Sequence, residues 1–293
     1  RRHTRYPLVT GVQTCALPIS AVVILYYPEE IHLKNLSSYL NEVELLLVYD
    51  NSPTNEAQKI IGHHNKIRYN WDGENEGIAK RLNESIEICI KENYDFLLTM
   101  DQDSFFEKND LKRYKELIKC TSLDKVGMYG VIHDKNLLSN NSNIYNLNKI
   151  LITSGSILPI VNFKILGCFN EELFIDGVDI EFCLRIFKNG YNTVQFNTIL
   201  LSHELGTTLI KLTPSLKIEK RKIHSPFRIY YITRNFFYLR KIYKNQIYYL
   251  NMFSFLNEIK NGILYGNEKI KFILYSAKGY IDFKNNKMGK LCQ

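Results

Sequence analysis

Between Ser20 and Asp103 the sequence alternates strand-like runs with helical spacing, and that alternation limits the fold more than any other feature. The runs are AVVILYY (21–27), VELLLVYD (43–50), KIRYN (66–70) and YDFLLTMDQD (94–103). Between them, Ile31, Leu36 and Leu40 sketch one helix. Ile78, Leu82, Ile86 and Cys89/Ile90 sketch another, entered through a turn that contains Gly77. Asn51-Ser52-Pro53 breaks the chain after the second run, leaving Thr54 or Asn55 to cap a helix. Short apolar strands separated by helices imply right-handed crossovers and a mainly parallel sheet, an α/β, Rossmann-like class of fold. Such a sheet keeps its ligand site outside the carboxyl ends of its strands. Three of those ends are polar: Tyr49-Asp50-Asn51, Asn70-Trp71-Asp72 and Asp101-Gln102-Asp103.

The rest of the chain is read more coarsely. VGMYGVI, an Asn/Ser/Leu loop over 136–148 and KILITSGSILP precede a helix over 178–190, which Gly190 closes. YNTVQF and TILLSH are two further strands. After His203 the composition turns to Lys, Ile, Tyr and Phe, with helical segments over 224–242, 247–262 and 268–280. The expected division is therefore a non-native or disordered leader over 1–19, an α/β domain over 20–210 and a helical, basic and aromatic region over 211–293. With 293 residues, 45% hydrophobic and 23% charged, the chain has enough residues to bury a core, and wholesale disorder and collagen-like repeats are excluded. No run of 18 apolar residues occurs, so a membrane-spanning helix is not expected. The formal charge of +8 favours nucleotide phosphates, nucleic acid or acidic lipid head groups, without choosing among them. The six cysteines show no CxxC pair, so neither a zinc site nor a disulfide framework is expected. Cys89 and Cys183 read as small buried hydrophobes, and a reducing cytoplasm fits.

Several clusters carry chemistry. Asp101-Gln102-Asp103 puts two carboxylates on a strand-end turn, where they either face solvent or share a hard divalent cation with a diphosphate. Asn75 and Gly77 open a helix whose N-terminus suits a phosphate, although Asn75 is also an ordinary cap. Asp176, Asp179 and Glu181 lead into a helix with Arg185; they complement its dipole, or one of them serves as a general base. His203, at a strand end, is structural or a metal ligand. His224, Arg228, Tyr230, Tyr231, Arg234 and Asn235 are dense in phosphate-binding types, and the same stretch also suits a basic helix on a membrane surface.

The order of these pieces is YYP, DNS, NEGIAKRLN, LLTMDQDS, TSG, LFIDGVDIEFCLR, SHELG and YYITRN. Over about residues 20–240 it resembles glycosyltransferase family two, and within it the bacterial rhamnosyltransferase-like members with the GT-A fold. The resemblance implies that Asp50 holds the base or ribose of a nucleotide sugar and that Asn51 and Ser52 shape its loop. Asn75 and Gly77 pack against the nucleotide. Asp101 touches the ribose or diphosphate, Asp103 ligates Mg²⁺ or Mn²⁺, and Ser154 and Gly155 lie where sugar and acceptor meet. His203 lies near the metal and diphosphate, and Arg234 contacts the diphosphate. Asp179 matches the catalytic base, and Asp176 is its rival because Val178 replaces the preceding acid of the usual Glu-Asp pair. The first strand has Tyr27 where that family often has Asn before Pro28. The implied activity is inverting transfer, with dTDP-rhamnose as the favoured donor and a glycan or lipid-linked acceptor. It is placed in the cytoplasm, with peripheral contact to the inner face of the membrane. Two other readings stand beside it: a degenerate nucleotide-binding relative, and a basic nucleic-acid-binding protein. The acidic DQD and VDIE clusters argue against nucleic acid, since they repel phosphate backbones.

Overall fold

The structure, a computed structural model, describes residues 17–138, 144–203, 208–212, 218–222 and 224–291; side chains at 203, 208–212 and 218–222 are outside that description. The first strand, β1 (Ile19–Leu25), is followed by two short helices, α1 (Glu30–Asn35) and α2 (Ser37–Leu40), where the spacing suggests one. β2 (Leu45–Asp50), α3 (Glu56–Ile61), β3 (Ile67–Trp71), α4 (Gly77–Glu92) and β4 (Phe96–Asp101) complete the expected alternation. Along α4, Ala79, Leu82, Ile86 and Cys89 recur every three or four residues and all are buried on the sheet. Asn93 ends that helix in the left-handed conformation.

β5 (Ser104–Phe106), α5 (Asp110–Cys120), β6 (Val126–Ile132), β7 (Tyr145–Leu147) and β8 (Ser156–Pro159) come next. They are followed by α6 (Phe163–Leu166), α7 (Val178–Lys188) and β9 (Asn192–His203). The stretch read as two strands, YNTVQF and TILLSH, is the single twelve-residue β9. Its pairing with β6 shifts register between Gly130 and Ile132, so the strand is bent but not interrupted. A hairpin of β10 (Thr208–Leu212) and β11 (Ile218–Lys222) leads to α8 (Pro226–Ile242), α9 (Met252–Tyr265) and α10 (Lys269–Lys284). The expected domain boundary at 210/211 falls inside β10, and Ile19, assigned to the leader, is buried within β1.

The main sheet has the order β3-β2-β1-β4-β8-β6-β9-β5, with β7 on β9. Its β3-β2-β1-β4 half is parallel, β6 and β9 are also parallel, and β8 is inserted antiparallel between β4 and β6. Leu25 pairs with Asp50, Ile24 with Asp101 and Asp50 with Trp71, so these ends finish level on one rim. β8 enters at the same rim through Ser154 and Gly155, and β9 leaves there, pairing His203 with Ser104. Two apolar layers sandwich the sheet, one on the α1, α2 and α5 side and one on the α4 and α7 side.

Candidate active site

The rim is built by a chain of hydrogen bonds that begins at the Asp101-Gln102-Asp103 turn. Ser154 accepts from the Asp101 N–H at 3.2 Å and its hydroxyl donates to Ser104 Oγ at 2.9 Å, so one buried serine braces both ends of the turn. Gln102 faces the other way. Its side chain accepts from the Tyr26 N–H at 2.8 Å and donates to the Tyr26 carbonyl at 3.3 Å. The two carboxylates are left half-buried at the rim, while the middle residue locks the end of β1. Gly155 follows with φ of +71° and donates its N–H to Thr99 O at 2.8 Å. A Cβ there would lie 2.8 Å from Leu201 Cδ2.

Asp50 is fully buried. It accepts from the Ser52 N–H at 2.9 Å and from the Tyr69 hydroxyl at 2.7 Å, and so fixes the loop after β2. Ser52 in turn accepts from the Tyr27 N–H at 2.7 Å, and its carbonyl accepts from the Trp71 indole at 3.0 Å. Tyr26, Tyr27 and Trp71 are thereby held with their rings exposed beside the rim. Asn51 donates to the Gly77 carbonyl at 3.0 Å and accepts from Arg81 Nε at 2.9 Å, while Asn75 accepts from the Gly77 N–H at 3.0 Å. Gly77 has φ of +77°, and a Cβ on it would lie 2.5 Å from the Phe174 carbonyl. Only glycine fits there, and the same carbonyl accepts from the Ile78 N–H at 2.8 Å. The start of α4 is thus pressed against the loop that leads into α7.

That loop carries the candidate bases, and the structure separates them. Asp176 is clasped by Arg228 through both carboxylate oxygens, Nε reaching Oδ2 at 3.1 Å. Burial works against the Arg228 charge, but the Asp176 carboxylate outweighs it and raises the guanidinium pKa. Asp179 has no such cation among the described residues. It accepts from the Ile180 N–H at 2.8 Å, and burial raises its pKa to about 6, with the Asp176 and Asp101 carboxylates adding to the rise. A carboxyl with that pKa is a competent proton acceptor near neutrality.

Asp179 lies on the wall of a cavity of about 380 Å³ between the start of α7 and the helices α8 and α9. Phe236, Leu239 and Phe255 form its apolar side; Asn251, Ser254 and Glu258 its polar side. Glu258 pairs with His224 at 3.1 Å, and burial raises its pKa. Lys and Arg are absent from the described lining.

Arg234 does not reach the rim. Its buried guanidinium donates to the carbonyls of Glu172, Leu173 and Gly289 and to Asn235 Oδ1, and lies over the rings of Tyr230 and Tyr231. Burial lowers its pKa, and its role in this structure is to tie the C-terminus to the loop before Asp176. Of the expected site residues, Asp50, Asn51, Asn75, Gly77, Asp101, Asp103, Ser154 and Gly155 gather at the rim, with Asp176 and Asp179 beside it. The side chain of His203 lies outside the described residues, although its backbone pairs with Ser104. Nothing in the sequence spacing marks Gln102 or Glu258, and Arg228 stands there only as one cationic side chain beside His224 and Arg234.

The Asp101-Gln102-Asp103 turn offers oxygen donors alone, which suits a hard cation that takes its other ligands from a diphosphate. Among the described residues no cluster of three His, Cys, Asp or Glu side chains would hold a metal by itself. Asp101 and Asp103 are the two carboxylates of this turn that a diphosphate-bound cation could share.

Residues 20–153 match the family described as Glycosyl transferase family 2. The chain is 29% identical over 252 residues to the dTDP-rhamnosyl transferase RfbF of Shigella flexneri, covering 78% of this chain and 81% of that protein. It is 22% identical over 307 residues to the low-salt glycan biosynthesis hexosyltransferase Agl10 of Haloferax volcanii, covering 97% of each. Among solved structures, S. aureus TarS 1–349 in complex with UDP-GlcNAc superposes with a TM-score of 0.54 at 15% identity, over 90% of this chain and 81% of that one. GalNAc-T7 with UDP, GalNAc and Mn²⁺ superposes with a TM-score of 0.54 at 13% identity, over 92% of this chain and 56% of that one. The architecture is that of the GT-A glycosyltransferases.

Proposed function

This chain carries a family 2 glycosyltransferase domain, and on that premise we propose that it moves a sugar, with inversion, from a nucleotide diphosphate to a hydroxyl of a glycan or lipid-linked acceptor. The donor lies along the rim. Tyr27 and Trp71 offer faces to the base, the loop fixed by Asp50 and Asn51 receives the ribose, and the turn braced by Ser154 presents Asp101 and Asp103 to the diphosphate. Asp103 would hold Mg²⁺ or Mn²⁺, which when bound would act as a Lewis acid on the charge of the leaving diphosphate. The likeness to RfbF favours dTDP-rhamnose as donor.

The acceptor enters the cavity beside Asp179. Its hydroxyl oxygen attacks the anomeric carbon from the face opposite the leaving group, and its proton passes to a carboxylate oxygen of Asp179. The anomeric C–O bond breaks, and the nucleoside diphosphate leaves with the bonding pair. Because the cavity wall is acidic and lacks described Lys or Arg, it suits a neutral sugar at the reacting end of the acceptor rather than a phosphate. Synthesis of a cell-surface polysaccharide at the inner face of a membrane belongs to the same reading.

One observation carries the proposal: Asp179, with no cation partner among the described residues and a pKa raised to about 6, faces a cavity that adjoins the carboxylate rim, while its rival Asp176 is occupied by Arg228. The test is release of nucleoside diphosphate from dTDP-rhamnose, UDP-GlcNAc and GDP-mannose, each with Mg²⁺, Mn²⁺ or EDTA. Turnover of dTDP-rhamnose that EDTA and Asp103→Ala abolish is expected. Tight dTDP binding without turnover of any donor identifies a degenerate nucleotide-binding relative instead, and full turnover in EDTA removes the metal from the account.

A further inference from the structure

α10 is apolar on two opposite sides. One side buries Phe272 and Gly279, the latter closely against α8. The other presents Ile270, Ile273, Leu274 and Ile281, which are 74%, 51%, 61% and 55% exposed. Steps of three, one and seven residues keep these four on one stripe of the helix. By the same spacing Lys271 and Lys278 border one edge of the stripe, Lys269 borders the other, and Lys284 follows Ile281 by one turn at its end. α9 packs beside α10 and adds exposed Phe253, Leu256 and Leu264 with Lys260. A helix face turned to water is ordinarily polar; an apolar area gathered over two helices marks a surface that something covers.

The charges bear on what covers it. The acids of these two helices and their caps are Glu258, Glu268 and Asp282. Glu258 lines the cavity and pairs with His224, Glu268 pairs with Lys271, and Asp282 is buried under the Tyr230 hydroxyl with Lys278 at 3.4 Å. Lys260, Lys269 and Lys284 have no carboxylate partner among the described residues. A second copy docked on the stripe would bring Lys260, Lys269 and Lys284 against like charge, with Glu268 and Asp282 already paired to Lys271 and Lys278. Anionic head groups supply that missing charge, and lysine stems are long enough to reach them while the stripe sits at the acyl boundary. No described helix is long and apolar enough to cross a membrane, so the contact is parallel to the surface.

We propose that the outer face of α9 and α10 rests on an anionic lipid bilayer. The inner side of α9 carries Phe255 and Glu258 into the cavity that holds Asp179, so one helix joins the bilayer surface to the proposed acceptor site. The inference deepens the membrane placement proposed above, but its test reads lipid binding alone and so fails or succeeds separately from the transferase reading. The full chain is sedimented with vesicles of phosphatidylcholine, and with vesicles of equal parts phosphatidylglycerol and phosphatidylcholine. Wild type should pellet with the anionic vesicles, and the triple variant Ile270→Glu/Leu274→Glu/Ile281→Glu should bind at least about tenfold more weakly with an unchanged unfolding transition. Replacing Lys269, Lys271, Lys278 and Lys284 by Gln should abolish the preference for anionic over neutral vesicles. Wild type that stays in the supernatant, or a triple variant that pellets like wild type, overturns the proposal. So does a wild-type dimer that the triple variant converts to monomer without any vesicle binding, since the stripe is then covered by a second copy.

Discussion

At the scale of single residues, the account turns on which of two nearby carboxylates is free to take a proton. Arg228 decides it by clasping Asp176, a pairing across 52 residues that sequence spacing does not show. The candidates themselves were legible, because acids at a helix start are visible in the sequence; the choice between them was not. Asp179 has a folded pKa of about 6, above the ordinary carboxylate value of 3.8, so it binds more protons folded than unfolded between those values. The stability this group contributes is present below 3.8 and is lost as pH rises through about 6. Asp179→Asn, neutral at every pH, should therefore stabilise the protein by roughly 1–3 kcal/mol at alkaline pH and by almost nothing in acid. Denaturant unfolding at both pH values checks this; equal effects would mean that Asp179 is not desolvated. Arg228→Met leaves Asp176 charged and uncompensated beside Asp179. The acid limb of the turnover profile should then move to higher pH than the wild-type value of about 6, read from initial rates across pH. Arg234 shows the opposite limit of reading residues one at a time. Its type suits a diphosphate, but its burial on the inner face of α8 commits it to the carbonyls of Glu172, Leu173 and Gly289.

Among the elements, β1 to β4 and α4 were legible because unbroken apolar runs and a clean helical period left few alternatives. The rim followed from them, since parallel strands that finish level must bring their ends together. The braces of that rim were not legible. Ser154 is 53 residues from Asp101, and nothing local marks it as the residue that holds the turn. Ser154→Ala removes both of its bonds to the turn and should cost about 1–2 kcal/mol in stability. It should also weaken divalent-dependent donor binding measured by calorimetry, while metal-free nucleotide binding changes little. Gly77 joins two elements that the sequence treats as separate. Gly77→Ala meets the Phe174 carbonyl in a left-handed conformation and should displace the loop before Asp176. Nucleotide affinity and turnover should fall together; an unaffected turnover would show that the α4–α7 contact does not set the site.

For the molecule as a whole, composition separated a basic, aromatic C-terminal region from the α/β domain, but packing ties the two together. Gly289 donates its N–H to the Glu172 carbonyl at 2.7 Å and accepts from Arg234 at 2.6 Å, and the Leu291 N–H donates to the Tyr231 hydroxyl at 2.8 Å. Tertiary closure of this kind leaves no trace in periodicity. Removing residues 285–293 takes away one of the carbonyls that satisfy a buried guanidinium, and should destabilise the whole protein by about 2–4 kcal/mol in a single unfolding transition. The central claim, that Asp179 performs proton transfer in a nucleotide-sugar reaction, meets its most direct test in dTDP-rhamnose turnover by Asp179→Asn and Asp176→Asn beside wild type, with dTDP affinity measured on the same samples. The account predicts that Asp179→Asn lowers turnover by about 10²–10⁴ while dTDP affinity holds, and that Asp176→Asn costs less. A fully active Asp179→Asn, or an Asp176→Asn that alone loses turnover, contradicts it.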